Sequence, residues 1–291
     1  MSVGLGLLVG FLAARLLLKG GTEGGLMTAP ALERANYRGR RVPTAAGVII
    51  VLSVLVVEAG RAILGAAGVG DLTGLTIARN AVLFACLGFG FLGLIDDLVA
   101  HGDDRGFRGH LRALASGRIT TGAIKLFGGG GIAVLLVASP GFRSGARLIV
   151  DAVIIALAAN LGNLFDRAPG RVLKVSLLAY VPLAIVCGTG AVGVALAPVM
   201  GAALGLLVDD LRERLMIGDT GANLLGGVLG LGAVLQLGED ARYILLALLV
   251  ALNLASEFWS FSTFIDRVPP LRALDRWGRR RPPAPDRDPT S

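Results

Sequence analysis

The chain has 291 residues, of which 54% are hydrophobic and 17% charged, and its mean hydropathy is +0.72. The apolar residues come in long blocks, which excludes an ordinary soluble domain and places the chain among integral membrane proteins. The formal net charge of +7 does not predict a nucleic-acid partner: the basic residues frame apolar blocks, no recognition motif is present, and anionic lipid headgroups are the expected counterpart.

Nine candidate spans, each about 16 to 20 residues, lie near 3–18, 44–60, 77–95, 123–139, 147–163, 172–188, 190–208, 221–237 and 243–260. Backbone polar groups must be satisfied within the segment in hydrocarbon, so the expected fold is an all-α, polytopic membrane helix bundle of about nine to ten helices. The short alternating segments of a β-barrel are missing from the pattern. The first span lacks a basic start, and Arg15 and Lys19 stand at its far end; it reads as an anchor with the N-terminus outside. That orientation puts Lys19, Arg34, Arg38, Arg40, Arg41, Arg105, Arg108, Arg112, Arg118, Arg212, Arg214 and the stretch RWGRRR on one side. Only Arg61, Arg79, Arg143, Arg147 and Arg242 fall on the other. By the positive-inside rule the first side is cytoplasmic, and so is the C-terminus.

Three domains of behaviour are expected along the chain. Residues 1–260 form the transmembrane catalytic domain. In 261–281, Phe264, Ile265, Val268, Leu271, Leu274 and Trp277 recur at roughly helical spacing among arginines, with Pro269 and Pro270 interrupting; this predicts a cytoplasmic amphipathic basic segment on the membrane surface. The polar, proline-rich stretch 282–291 is expected to be disordered. The many glycines, as in GVLGLGAV at 227–234, fit closely packed helices, although a genomic base bias would also produce them. Cys86 and Cys187 lie in apolar spans without metal-ligand spacing and are expected to be packing residues.

The polar residues sort by side. Asp96 and Asp97 close the third span, Asn160, Asn163 and Asp166 the fifth, and Asp209, Asp210 and Asp219 separate the seventh from the eighth. All fall at the cytoplasmic membrane boundary, where ionisable groups at span ends are functional candidates. Carboxylates with amides and few histidines favour a hard cation with oxygen ligands, Mg²⁺ before Zn²⁺, and Mg²⁺ in turn implies a phosphate substrate. Lys125, in ITTGAIKLFGGGG, is placed to neutralise phosphate oxygens. GDTGAN at 218–223 opens a helix whose N–H groups suit an anion; the plainer alternative is that Asp219 or Thr220 caps that helix. His101, His110, Asp103 and Asp104, in a glycine-rich loop, are expected to be solvated, and Glu257 to share a face with Asn253 and pair with an arginine beyond residue 260.

The ordered blocks RANYRGRRVPTAAG, GLIDDL, TTGAIKL, NLGNLFD and MIGDTGANLLG, spread over residues 34–226, resemble the polyprenyl-phosphate N-acetylhexosamine-phosphate transferase family. The resemblance implies a membrane enzyme of about ten helices in the bacterial cytoplasmic membrane, its site facing the cytoplasm. It implies transfer of a sugar phosphate from a uridine diphosphate sugar to an undecaprenyl-type lipid phosphate, with Mg²⁺, in cell-envelope glycan assembly; a homodimer is left open. By position, Asp96 and Asp97 match the family's paired aspartates and Lys125 its phosphate-binding lysine. Asn160, Asn163 and Asp166 match the motif lining the nucleotide and metal site, and Asp219 matches the Mg²⁺ ligand. The chain departs from the family at Ala100, at Pro169 and in lacking a histidine-rich loop near the C-terminus. Ala100 and Pro169 leave open a catalytically silent relative that acts as a membrane scaffold or regulator, and the missing loop weighs against the family's muramoyl-pentapeptide branch. A transporter ranks third, without a mid-span charge or an inverted repeat to support it.

Overall fold

The computed structural model describes residues 1–25, 27–70, 75–99, 121–138 and 145–280. The expectations for Asp71, Ala100, His101, Asp103, Asp104, Arg105, Arg108, His110, Arg112, Arg118, Arg143 and the segment 282–291 lie outside the described residues.

The chain folds as an all-α bundle in which the nine expected spans reappear as α1 (Val3–Gly24), α2 (Gly47–Ala66), α3 (Ile77–Val99), α4 (Thr121–Val137), α5 (Ala146–Phe165), α6 (Arg171–Cys187), α7 (Ala191–Leu211), α8 (Gly218–Gln236) and α9 (Glu239–Phe258). Two short helices follow, α10 (Phe261–Arg267) and α11 (Pro269–Arg276), divided at Pro269, because a proline ring fits the first turn of a helix but not its interior. An antiparallel hairpin, β1 (Glu33–Ala35) with β2 (Arg41–Pro43), stands between α1 and α2; the sequence reading did not anticipate it.

The expected count of nine to ten membrane helices needs correction. Among the described residues, six helices are long and apolar enough to cross a membrane: α1, α2, α3, α5, α7 and α9. Helices α4 and α6 have 17 residues each, and at 1.5 Å per residue they reach only about 26 Å, short of a hydrocarbon core of about 30 Å. The eighth helix falls short for a different reason. It is sheathed by α3, α5 and α6, with Leu224, Leu225, Val228 and Leu231 wholly buried. A helix surrounded by protein need not be greasy toward lipid, so it can carry glycines and Asn223. Those glycines permit close approach: a Cβ on Gly226 would stand 2.2 Å from the Ala158 carbonyl oxygen of α5. Small-residue packing is therefore in place. Cys86 and Cys187 are free and buried, as expected.

At the end of the bundle remote from the motif blocks, charges lie on the helices and pair between them. Glu58 of α2 accepts from Arg79 Nε of α3 at 2.7 Å and from Arg61 at 3.0 Å. Asp151 of α5 takes Arg242 Nη1 of α9 on both oxygens at 2.7 Å. Asp151 and Arg242 are both nearly inaccessible, so each neutralises a charge that would otherwise be stranded.

The C-terminal helices dock under the motif-bearing end. Arg171 forms a fork with Asp275 at 2.8 and 3.1 Å and donates to Ser262 Oγ at 2.8 Å. Lys174 Nζ donates to the carbonyls of Leu274, Asp275 and Trp277, satisfying the end of α11. Phe261 stacks on Phe165 at 5.0 Å. The segment is thus held to α6 through its own Asp275, and Glu257, expected to pair with one of its arginines, is exposed.

Two predictions follow from these ion pairs. Asp151→Ala strands Arg242 and should cost about 3 to 5 kcal/mol, seen as a lowered thermal midpoint of the detergent-solubilised protein; an unchanged midpoint would mean the pair contributes nothing. Burial raises the Asp275 carboxyl pKa, but Arg171, Arg279 and Lys174 outweigh it and hold the group below the ordinary carboxylate value. A depressed carboxylate contributes stability that is present above its unfolded pKa of about 3.9 and is lost as pH falls through the folded value. Hydrogen exchange at residues 271–277 should therefore rise before the rest of the bundle opens as the pH is lowered below about 4.

Candidate functional site

The end of α3, the start of α4, the end of α5 and the start of α8 converge, and this brings the separated motif blocks together. Asp96 and Asp97 are adjacent on α3, so their side chains diverge by about 100°, and they meet different partners. Asp97 turns to α8: its Oδ1 accepts from Asp219 N at 3.1 Å, and its Oδ2 from Thr220 N at 2.9 Å and Thr220 Oγ1 at 2.6 Å. It thereby caps a helix that has no side-chain cap of its own. Neither Asp219 nor Thr220 serves as that cap, so the plainer sequence alternative is corrected: the cap comes from another helix. The first N–H groups of α8 have no partner within the helix, and a carboxylate there also meets the positive end of the helix dipole.

Asp96 turns the other way. Its Oδ2 lies 2.6 Å from Lys125 Nζ, and the same ammonium is ion-paired and hydrogen-bonded to Asp219 Oδ2. Asn163 completes the group, with its amide oriented by its two neighbours: the nitrogen donates to Asp219 Oδ1 at 3.1 Å and the oxygen accepts from Lys125 Nζ at 2.7 Å. Lys125, Asp96 and Asp219 keep 27%, 13% and 23% of their side-chain surface exposed, so the cluster opens to solvent. Asp166 caps the C-terminus of α5 within electrostatic reach of this group. Burial, and after it the like charges of Asp210, Asp219 and Asp97, hold its carboxyl well above the ordinary carboxylate range. Asn160 stands apart: it is exposed and donates to Asn253 Oδ1 of α9 at 2.7 Å.

Several positioning elements were not foreseen. Residues 43–47 and 216–217 run side by side, with Met216 N to Pro43 O at 2.7 Å, Ala46 N to Met216 O at 3.1 Å and Gly47 N to Ile217 O at 2.9 Å, so the first motif block holds the last. Arg34 donates to the Asp97 carbonyl at 3.0 Å. The hairpin turn is fastened by Asn36 Nδ2 and Tyr37 Oη, each 3.1 Å from Glu213. Gly218 has φ +69°, and a Cβ there would lie 2.6 Å from Asp97 Oδ2; only glycine lets the cap approach. Gly93 does the same one turn earlier on α3, where a Cβ would meet the Asp219 carbonyl at 2.3 Å. The signal available in the sequence was a glycine directly before the Asp-Thr of a helix start. Asp209 and Asp210, grouped with Asp219 in the sequence, have other tasks: Asp209 pairs with Arg15 and Arg214, and Asp210 accepts from Gly170 N at 2.8 Å.

Among the described residues no three acidic or histidine side chains converge into a preformed metal cage. The donors that do gather are carboxylate and amide oxygens, a set suited to a hard cation. Mg²⁺ commonly uses only one or two protein carboxylates and completes its shell with water and substrate phosphate, so this set fits it. A cluster of partly buried carboxylates around one ammonium that keeps some solvent access can also receive a phosphate group, which would compete with Asp96 and Asp219 for Lys125. The division of labour within the aspartate pair is testable without any substrate. Asp97→Ala should remove about 1 kcal/mol of capping, a roughly fivefold faster hydrogen exchange at residues 219–223, whereas Asp96→Ala should leave those amides protected; equal effects would show that Asp97 is not the cap.

No protein-family model matches the chain. It is 29% identical over 218 residues to the phospho-N-acetylmuramoyl-pentapeptide-transferase of Shouchella clausii, covering 69% of this chain and 63% of that protein. It is 30% identical over 195 residues to the protein of the same name from Deinococcus radiodurans, covering 64% and 59%. With the namesake from Desulforamulus reducens the identity is 26% over 267 residues, covering 82% and 76%. The chain thus spans about three fifths of the length of the first two curated relatives, 63% and 59%. The motif blocks that the fold gathers at one end of a membrane helix bundle thus lie in a chain that is similar, over part of its length, to three proteins named phospho-N-acetylmuramoyl-pentapeptide-transferase.

Proposed function

We propose that the chain transfers an N-acetylhexosamine-type sugar phosphate from a uridine diphosphate sugar to an undecaprenyl-type lipid phosphate, with Mg²⁺, at the cytoplasmic face of a bacterial membrane. The observation that carries this reading is the single ammonium of Lys125 held between Asp96 and Asp219 beside Asn163, at the end of helices apolar enough to span a bilayer. A site at that boundary can meet a lipid phosphate from the membrane and a soluble nucleotide from the other side.

In this reading a phosphate oxygen of the lipid attacks the β-phosphorus of the nucleotide sugar. The bond from that phosphorus to the bridging oxygen breaks, and uridine monophosphate leaves with the bond's electrons. Positioning and charge neutralisation dominate such a transfer. Lys125 leaves its carboxylate partners to bind phosphate oxygens and offsets the charge that develops there. Asp219 would hold Mg²⁺, with Asp166 and Asn163 beside it; when bound, the ion neutralises diphosphate oxygens. Asn163 keeps Lys125 and Asp219 in register. Asp96 orients the ammonium, while Asp97 acts one step removed by fixing the start of α8 and so the place of Asp219. A lipid phosphate is largely ionised near neutral pH, so no strong base is required.

The test is release of uridine monophosphate from uridine diphosphate sugars by purified protein, with and without undecaprenyl phosphate and Mg²⁺. Lys125→Met and Asp96→Asn should each lower turnover by about a hundredfold or more, the scale of losing a preorganised charge. Asp97→Asn, which keeps an acceptor for the cap, should lose less. Asp219→Ala should abolish turnover while the protein stays folded in the membrane. Cellular function that survives Asp219→Ala would instead indicate the scaffold role that the departures at Ala100 and Pro169 leave open.

A further inference from the structure

A cavity of about 540 Å³ lies between the last turns of α1, the end of β2 and the segment after α7. Asp96, Asp97, Lys125, Asn163, Asp166 and Asp219 do not line it, whereas Asp209 does. Its polar wall is Arg15, Lys19, Asp209 and Arg214, and its apolar wall includes Met27 and Leu215. Asp209 takes Arg15 on Oδ2 and Arg214 on Oδ1, the latter at 3.1 Å, while Arg15 also donates to the Gly205 carbonyl at 3.0 Å. Asp209 thus pairs with two of the three cations that line the cavity. The Arg15 and Arg214 side chains remain 42% and 59% exposed, and Lys19 is exposed as well. A concave site with positive charge in excess calls for an anion.

The apolar surroundings say which kind. Leu5, Leu8, Leu12 and Leu16 of α1 are all exposed, at 48%, 53%, 47% and 71%, and their spacing puts them on one face of the helix. Helix α1 is apolar enough to span a membrane, so in a bilayer that stripe lies against acyl chains. Lys19 continues the same face three residues beyond Leu16, and Arg15 sits three beyond Leu12. The stripe therefore ends in the cationic cavity at headgroup depth. A free anion would use the cations but not the leucines.

We propose that this cavity is a binding site for the phosphate headgroup of an anionic glycerophospholipid, whose acyl chains lie along the leucine face of α1. Lys19 and Arg214 take the phosphate, while Asp209 holds the two guanidinium groups in place. The site is independent of sugar-phosphate transfer and would anchor α1, and through Arg214 the segment leading to α8, to the surrounding leaflet.

The experiment uses the full chain in an uncharged detergent, with native mass spectrometry as the readout. Phosphatidylglycerol, phosphatidylcholine or inorganic phosphate is added. The wild-type protein should retain phosphatidylglycerol about tenfold more than phosphatidylcholine, as expected for two cations meeting an anionic headgroup. The double change Lys19→Gln with Arg214→Gln should abolish that preference, and Arg147→Gln at the opposite end should leave it intact. If the double variant does not fold, Lys19→Gln alone is compared in the same way and should weaken the preference. Equal retention of the two lipids by the wild type, or an undiminished preference in the folded variant, would overturn the proposal. Displacement of phosphatidylglycerol by millimolar inorganic phosphate would overturn it in favour of a free-anion site. No arm measures turnover, so a failure here leaves the transferase reading standing.

Discussion

The carboxylate of Asp97 joins the end of α3 to the first turn of α8, and the arrangement of the site follows from that contact. Three hydrogen bonds run to it, from Asp219 N, Thr220 N and Thr220 Oγ1. Each satisfies a donor that would otherwise have no partner at a desolvated helix start. The contact requires Gly218 in a left-handed conformation and Gly93 without a side chain, since a Cβ on either would collide with the other side of the joint. The residues 43–47 brace the approach to α8 from a third direction. Asp219 is consequently held by its backbone, and its carboxylate is left to face Lys125.

Charge balance explains why the cluster is poised rather than quiescent. Asp96, Asp97, Asp166 and Asp219 gather around one lysine, so negative charge is in excess where the helices meet. Asp97 disposes of its share through the helix dipole, and Asp96 and Asp219 share the ammonium. Asp166 has neither device, and burial first, with the repulsion of its acidic neighbours after it, raises its proton affinity. A cation or a cationic partner arriving at this site would relieve that repulsion, which is the electrostatic ground for the metal in the proposed reaction.

Elsewhere among the described residues several buried charges are matched by a partner. At the remote end, Glu58 with Arg79 and Asp151 with Arg242 tie outer helices to inner ones. At the motif end, Arg171 pairs with Asp275 of α11, and Lys174 satisfies the carbonyls at the end of that helix. The segment in which the family's histidine-rich loop is missing thus works as a strap against α6. Its contacts are an arginine fork, lysine-capped carbonyls and a ring stack. Phe264, Leu271, Leu274 and Trp277 of the segment remain exposed, as do Arg276 and its partner Asp266.

Much of this could be read from the residues in order. Hydropathy blocks located the nine long helices among the described residues, six of them apolar and long enough to cross hydrocarbon, because a membrane span demands a continuous apolar run that composition reveals directly. The one-sided grouping of Asp96, Asp97, Lys125, Asn163 and Asp219 at span ends was equally legible, since topology carries every second loop to the same face. What composition could not decide was which helices are sheathed: α8 is enclosed by protein and α9 lies mostly exposed, a matter of neighbours and not of local sequence. Nor could it separate the two aspartates, send Asn160 to Asn253, or pair Asp275 with Arg171 across 104 positions. Periodicity states the angle at which a side chain leaves its helix; only the packed structure supplies the partner waiting at that angle.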